Sequence, residues 1–168
     1  VDAVLTELLT KRARLEAQRD SADAIEFPPE VVDRMADPDV LRIIKGQKKL
    51  FDSRRAAIKG KKDQLGQQIG QMKEQIDGIV SQQKSKASQI KLIETELVGL
   101  RKLQKQGLVQ VSRVLAMERE LARLDGERGS FVADKAQAES KIGEIKIMMI
   151  QVDEEDRSQV LTDLRDAE

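Results

Sequence analysis

The stretch LRKLQKQGLVQVSRVLAMERE, Leu100 to Glu120, holds two helical patterns joined by a handful of residues. Gly107 suits the position just past a helix end, where the backbone turns left-handed, and Ser112 suits the N-cap of the helix that follows. A link of about five residues between two helices implies antiparallel neighbours. Leu108, Val109 and Val111 in that link are apolar, although a solvated turn is ordinarily polar.

Upstream of the link, one pattern runs from Leu41. Alternating steps of three and four reach Ile44, Phe51, Ile58, Leu65, Ile69, Met72, Ile76, Ile79, Ile90, Ile93, Leu97 and Leu100. The same steps land on Lys48, Arg55, Lys62, Gln83, Lys86 and Gln104. Downstream they give Val114, Met117, Leu121, Leu124, Phe131, Ala138, Ile142, Ile145, Met149 and Val152, with Arg128, Lys135 and Asp156 as polar exceptions. The register then slips to Val160 and Leu164. Apolar residues at most heptad core positions over this length specify a coiled coil. The sequence therefore predicts an all-α fold, a long antiparallel coiled-coil hairpin with a shorter N-terminal helix. About 69 helical residues at 1.5 Å each give a first arm about 100 Å long.

Five segments follow: an N-terminal helix over 1–24, a proline-containing connection over 25–37, the long helix over 38–106, the tip over 107–112 and the returning helix over 113–168. Leu5, Leu8, Leu9 and Leu15 form the apolar stripe of the first helix. FPPE, at 27–30, breaks it, because the residue before a proline is pushed out of the α region. VVDRMA is long enough for one short turn. Asp37-Pro38 is an N-cap followed by proline at the first helical position. Three placements are open to the first helix: in tandem below the long helix, along the missing part of the returning helix, or folded back on Leu41–Leu50. The pattern is already under way at Val1 and still running at Glu168, as in a piece of a longer protein.

Charge supplies a second indication of pairing. Residues 42–63 carry nine Lys/Arg against Asp52 and Asp63, and residues 153–168 carry seven Asp/Glu against Arg157 and Arg165. With the reversal centred near Val109–Gln110, Lys62 falls opposite about Arg157 and Phe51 opposite about Glu168, so the basic block faces the acidic one. Such pairs select a register even where each contributes little. Nine of the ten glycines lie inside helices, each costing about 0.5–1 kcal/mol relative to alanine. Either the coil is loosely optimised, or glycine admits close approach or bending in an assembly. The polar core layers specify register, or their cations meet carboxylates such as Asp134 or Glu139 of another copy.

Composition excludes much chemistry. The 168 residues are 36% charged and 2% aromatic, with equal numbers of acidic and basic side chains and neither His nor Cys. No imidazole base, thiol nucleophile or thiolate metal site is available, and carboxylates on a rod's surface lack the cleft that shifts pKa values for acid–base work. No catalytic residue, cofactor site or metal site is expected, and the chain is not expected to be an enzyme. No run of 18 apolar residues spans a membrane. A binding or spacing role remains, centred on the tip. Residues 81–113 hold seven Lys/Arg against Glu94 and Glu96, an apolar cap on a basic collar. That pairing suits docking on an acidic-rimmed, partly apolar surface. It is equally consistent with Leu108 as the hydrophobic contact of a Schellman-type helix end.

DAIEFPPEV (23–31), DPDVLRIIKGQKKLFDSRRAAIKGKKDQL (37–65) and GLVQVSRVLAMERELARLDGERG (107–129) resemble the helical region of HlyD-type periplasmic membrane fusion proteins, specifically the PrtE/AprE/LipC branch of type I secretion adaptors. The resemblance spans essentially the whole chain. It implies a periplasmic protein anchored in the inner membrane, with a split lipoyl-like domain and a further β domain outside these residues. It also implies a hexameric tube, a hairpin tip meeting a TolC-like outer-membrane channel, a base on an ABC transporter, and a secreted protein substrate passing through. An Arg-x3-Leu-x6-Ser pattern at adaptor tips places Arg101 and Ser112 at its arginine and serine positions. Its leucine position falls on Lys105, with Leu103 and Leu108 flanking. The candidate partner-binding residues are thus Arg101, Leu103, Lys105, Gly107, Leu108, Val109, Val111 and Ser112. Two rival readings are a nucleic-acid-binding helical arm, which the zero net charge and missing stacking groups disfavour, and a cytoplasmic coiled-coil scaffold.

Overall fold

The computed structural model describes residues 2–167. They form α1 (Asp2–Arg19), α2 (Pro29–Val32), α3 (Pro38–Lys105) and α4 (Val111–Arg165), with no strand among them. α3 and α4 make the antiparallel hairpin. Asp37 caps α3 as its sequence suggests, its Oδ1 accepting from the Asp39 amide at 2.9 Å. No helix among the described residues is long and apolar enough to cross a membrane.

The base comprises residues up to 66 and from 146 onward. There α1 lies parallel to α3. Leu9 packs on Val31, Val40 and Ile44, while Ala13 and Ala17 join Phe51 and Ile25. Leu15, with no exposed surface, meets Val160 and Leu164 of α4. Of the three placements open to it, α1 takes the fold-back on the start of α3, and it touches α4 as well. The slip of register at Val160 and Leu164 is explained by this contact: those two side chains serve α1.

α1 follows its expected stripe at Leu9 and Leu15 and departs from it elsewhere. Leu5 and Leu8 face solvent, whereas Thr6, Thr10, Ala13 and Ala17 turn inward. Small side chains let the helix approach closely, and the Thr10 hydroxyl donates to the Thr6 carbonyl (2.9 Å), so its burial strands no polar group. The helix also ends before residue 24. Ser21 takes the left-handed conformation (φ 53°), with Ala22 N–H donating to Ala17 O and Ser21 N–H to Gln18 O. This Schellman closure returns Ala22 to the apolar cluster around Phe51 and stops the helix well before the prolines.

The α3 seam near the base is also rotated from the expected one. Val40 is buried where Leu41 was expected, and Gln47 and Arg54 are half-buried where Lys48 and Arg55 were. The cause is α1 and α4 crowding that side: Gln47 accepts from Arg14 Nε (2.7 Å) and Arg54 Nε pairs with Asp156 (2.5 Å). Burial and the nearby Arg54 cation hold the Arg14 guanidinium below its ordinary value. Arg55 instead reaches the connection, where Asp23 accepts from it at 3.0 Å.

Residues 67–145 form the second unit, the distal part of the hairpin. Its seam follows the expected spacing through Ile79, Ile90, Leu97, Leu100, Val114, Leu124 and Ala138. One polar layer differs. Glu127, not Arg128, turns to the seam, and its carboxylate pairs with Lys86 (2.5 Å). Two cations facing each other across the coil would repel, whereas this rotation neutralises the layer. The Lys86 hydrogen bond holds the Glu127 carboxyl below the ordinary carboxylate range.

Candidate functional site

At the tip, α3 closes in a Schellman motif. Leu108 N–H donates to Leu103 O (3.0 Å), Gly107 N–H donates to Gln104 O (2.9 Å), and Gly107 has φ 72°. A β-carbon at Gly107 would meet nothing within 4 Å, so the backbone angle alone demands glycine there. Reversal occurs at this residue rather than at Val109–Gln110. Val109 already belongs to the returning leg and packs against Leu97, Leu100 and Val114.

That shift moves the whole register. Gly107 lies midway between Leu100 and Val114, which share a cluster. In the base, Lys62 pairs with Asp153 (2.8 Å), one helical turn from the expected Arg157. Glu168, the expected neighbour of Phe51, is outside the described residues. The basic block still meets acidic side chains, through Arg54–Asp156 and Lys62–Asp153.

The tip residues have separate fates. Val109 is half-buried and completes the chain's own core. Leu108 is 70% exposed and Val111 55%, with Leu103 at 39%. The Schellman hydrogen bonds therefore form without burying Leu108. Ser112 does not cap α4, which begins at Val111. Its hydroxyl donates at 3.4 Å to Gln110 Oε1, while the Gln110 carbonyl accepts the first amide bond, from Arg113. Gln110 occupies the cap position because Val111 is already helical. Arg101 Nη2 donates to Glu118 Oε1 (2.8 Å) across the hairpin, tying the two arms just below the tip while staying half-exposed. Lys102, Lys105 and Arg113 form no ion pair among the described residues, so the collar retains net positive charge. Glu118 as the partner of Arg101 was not named from sequence, although a turn centred near Val109–Gln110 already places it opposite Arg101.

Among the described residues no cluster of three His, Cys, Asp or Glu could hold a metal. The groove at the base, lined among others by Gln18, Phe51, Arg54, Lys62, Asp153 and Asp156, is charged, and there Arg54 pairs with Asp156 and Lys62 with Asp153. The arrangement is an exposed apolar cap beside unpaired cations, a surface suited to recognition rather than to chemistry.

Residues 2–168 match the family described as AprE, long alpha-helical hairpin. The chain is 34% identical over 168 residues to the type I secretion system membrane fusion protein PrsE of Rhizobium meliloti (strain 1021), covering all of this chain and 38% of that protein. It thus spans well under half the length of that relative. Its fold matches the crystal structure of the soluble domain of LipC, a membrane fusion protein of a type I secretion system, with a TM-score of 0.93. That match covers 99% of this chain and 78% of the other, at 23% identity.

Proposed function

We propose that this chain, which belongs to the AprE family of long α-helical hairpins, is the bridging arm of a periplasmic type I secretion adaptor. In this reading the tip docks on a TolC-like outer-membrane channel. Regions outside these residues anchor the protein in the inner membrane and contact the ABC transporter. Several copies, six by the family resemblance, surround the path of the secreted protein. The arm holds the two membranes' components in register and takes no part in a reaction.

The observation that carries the reading is the exposed pair Leu108 and Val111 at the hairpin tip, beside Lys102, Lys105 and Arg113, which form no ion pair among the described residues. An apolar centre with a polar rim is how specific protein interfaces are built. The likeness to PrsE supports the same role. A nucleic-acid arm has less support, because Phe51 is buried and Phe27 and Phe131 are half-buried, leaving no exposed ring on which a base would stack.

Site-specific photo-cross-linking from Leu108 in intact cells tests the proposal. A cross-link to an outer-membrane channel is expected. Cross-links only to RNA or to cytosolic protein would discard it.

A further inference from the structure

At the base, α1 carries an apolar line that its neighbours cover at one end only. Leu15, Lys11, Leu8 and Val4 recur at steps of four, three and four, so they share one face of the helix. Leu15 has no exposed surface, because Val160 and Leu164 of α4 close over it with Ala167 beside them. Lys11 is half-buried, Leu8 is 44% exposed and Val4 61%, with Leu5 next to them at 54%. Exposure thus rises step by step along a face that begins as core. The first turns of α1 are not loose, since Thr6 and Thr10 on its other side stay buried over the same span. A seam that starts packed and then lies open is a seam with part of its partner missing.

The direction of α4 identifies that partner. α1 runs parallel to α3 and therefore antiparallel to α4, so moving from Leu15 towards Val4 follows α4 beyond Leu164. Leu15 sits level with the middle of the Val160–Leu164 pair. At 1.5 Å per residue, Leu8 and Val4 lie about 10 and 16 Å further on, level with about one and about five residues past Glu168. Nothing in α4 calls for a stop there. Asp166 N–H still donates to the Thr162 carbonyl (3.1 Å) in the α-helical pattern, and LTDLRDAE, 161–168, contains neither glycine nor proline. Charge argues against a second copy as the cover. Lys11, which forms no ion pair among the described residues, would then face its own counterpart, whereas the end of α4 brings Asp166 to about its height. A segment preceding Val1 would have to loop back onto the helix it enters, but α4 needs only to go on.

We infer that in the complete protein α4 continues as helix for about two turns past Glu168, and that its inward side chains there cover Leu8 and Val4. α1 is then held along its whole length, by α3 and the connection on one side and by the prolonged α4 on the other. It becomes a brace that joins the start of the hairpin to the chain that follows it. The inference goes beyond the adaptor reading and does not rest on it, because it concerns only how α1 is packed. An isolated helix the length of α1 is marginal, which gives the missing contact a physical role: it adds apolar burial where α1 is now secured on one side alone.

The test places the photo-reactive residue benzoylphenylalanine at Leu8 of the complete protein, irradiates it and maps the linked peptides by mass spectrometry. A link within the first ten or so residues after Glu168 is expected. A link to a segment preceding Val1, to a second copy, to another polypeptide or only to residues 1–168 would overturn the inference, as would no link at all. A smaller probe guards against disturbance by the bulky one. In the complete protein freed of other cysteines, Leu8→Cys and Val4→Cys are expected to react with a maleimide roughly tenfold more slowly than Glu7→Cys, which lies exposed on another face of the same turn. Equal rates at the three positions would show the face to be open and would overturn the inference.

Discussion

Two adjacent tip residues, Leu108 and Val109, should respond oppositely to the same substitution. Leu108 is 70% exposed, so Leu108→Asp removes almost no buried surface and should change stability by no more than about 0.5 kcal/mol. Val109 packs on Leu97, Leu100 and Val114. Val109→Asp puts a carboxylate against that half-buried cluster, at a cost of about 1–3 kcal/mol. For a chain of this size each kcal/mol lowers Tm by about 2–4 °C, so Val109→Asp should melt roughly 2–12 °C below the parent. Docking reverses the ranking for Leu108. Burying a leucine side chain in a partner stabilises the complex by about 1.5–3 kcal/mol, and a stranded carboxylate there adds a penalty. Affinity for the channel should fall at least about 10–100-fold. The assays are circular-dichroism melts of the purified chain and secretion of the system's substrate by cells carrying each variant. Normal secretion with Leu108→Asp would refute the assignment of that side chain to docking, and a lower Tm for Leu108→Asp than for Val109→Asp would refute the division of roles within the tip.

Three further outcomes are expected. Gly107→Ala should cost about 1–2 kcal/mol through its left-handed backbone, with Gly107→Asn cheaper, measured by urea unfolding. Leu15→Ala should cost about 2–5 kcal/mol at its fully buried site. Because an isolated helix the length of α1 is marginal, hydrogen exchange should show α1 losing protection while residues 90–124 keep theirs. The Lys86 bond lowers the Glu127 carboxyl in the folded state, so its stabilising effect is complete above the unfolded carboxylate value of about 4.3 and fades as pH falls through the lower folded value. Glu127→Gln should therefore flatten part of the acid limb of a stability–pH curve, and an unchanged limb would argue against the pair.

The hairpin was legible because it rests on local chemistry. A heptad core pattern is carried by each helix alone, Asp37-Pro38 starts α3 by its own side chain, and Gly107 is the residue best able to close it. The apolar cap at Leu108 and Val111 was visible for the same reason, since both precede or follow a helix end that the sequence announces. Register was not. It depended on whether Val109 belonged to the turn or to the core, and side-chain type does not distinguish a valine that packs inward from one that points outward. Only the cluster with Leu97, Leu100 and Val114 decided it, and with it the partner of Lys62. Part of the inward face of α1 was hidden too: Leu9 and Leu15 pack inward as their spacing suggests, but Leu5 and Leu8, which outrank Thr6, Thr10 and Ala13 in hydrophobicity, face solvent while those smaller side chains are buried. Periodicity along one helix is a property of the chain, whereas the direction in which that periodic face points is settled by the helices packed against it.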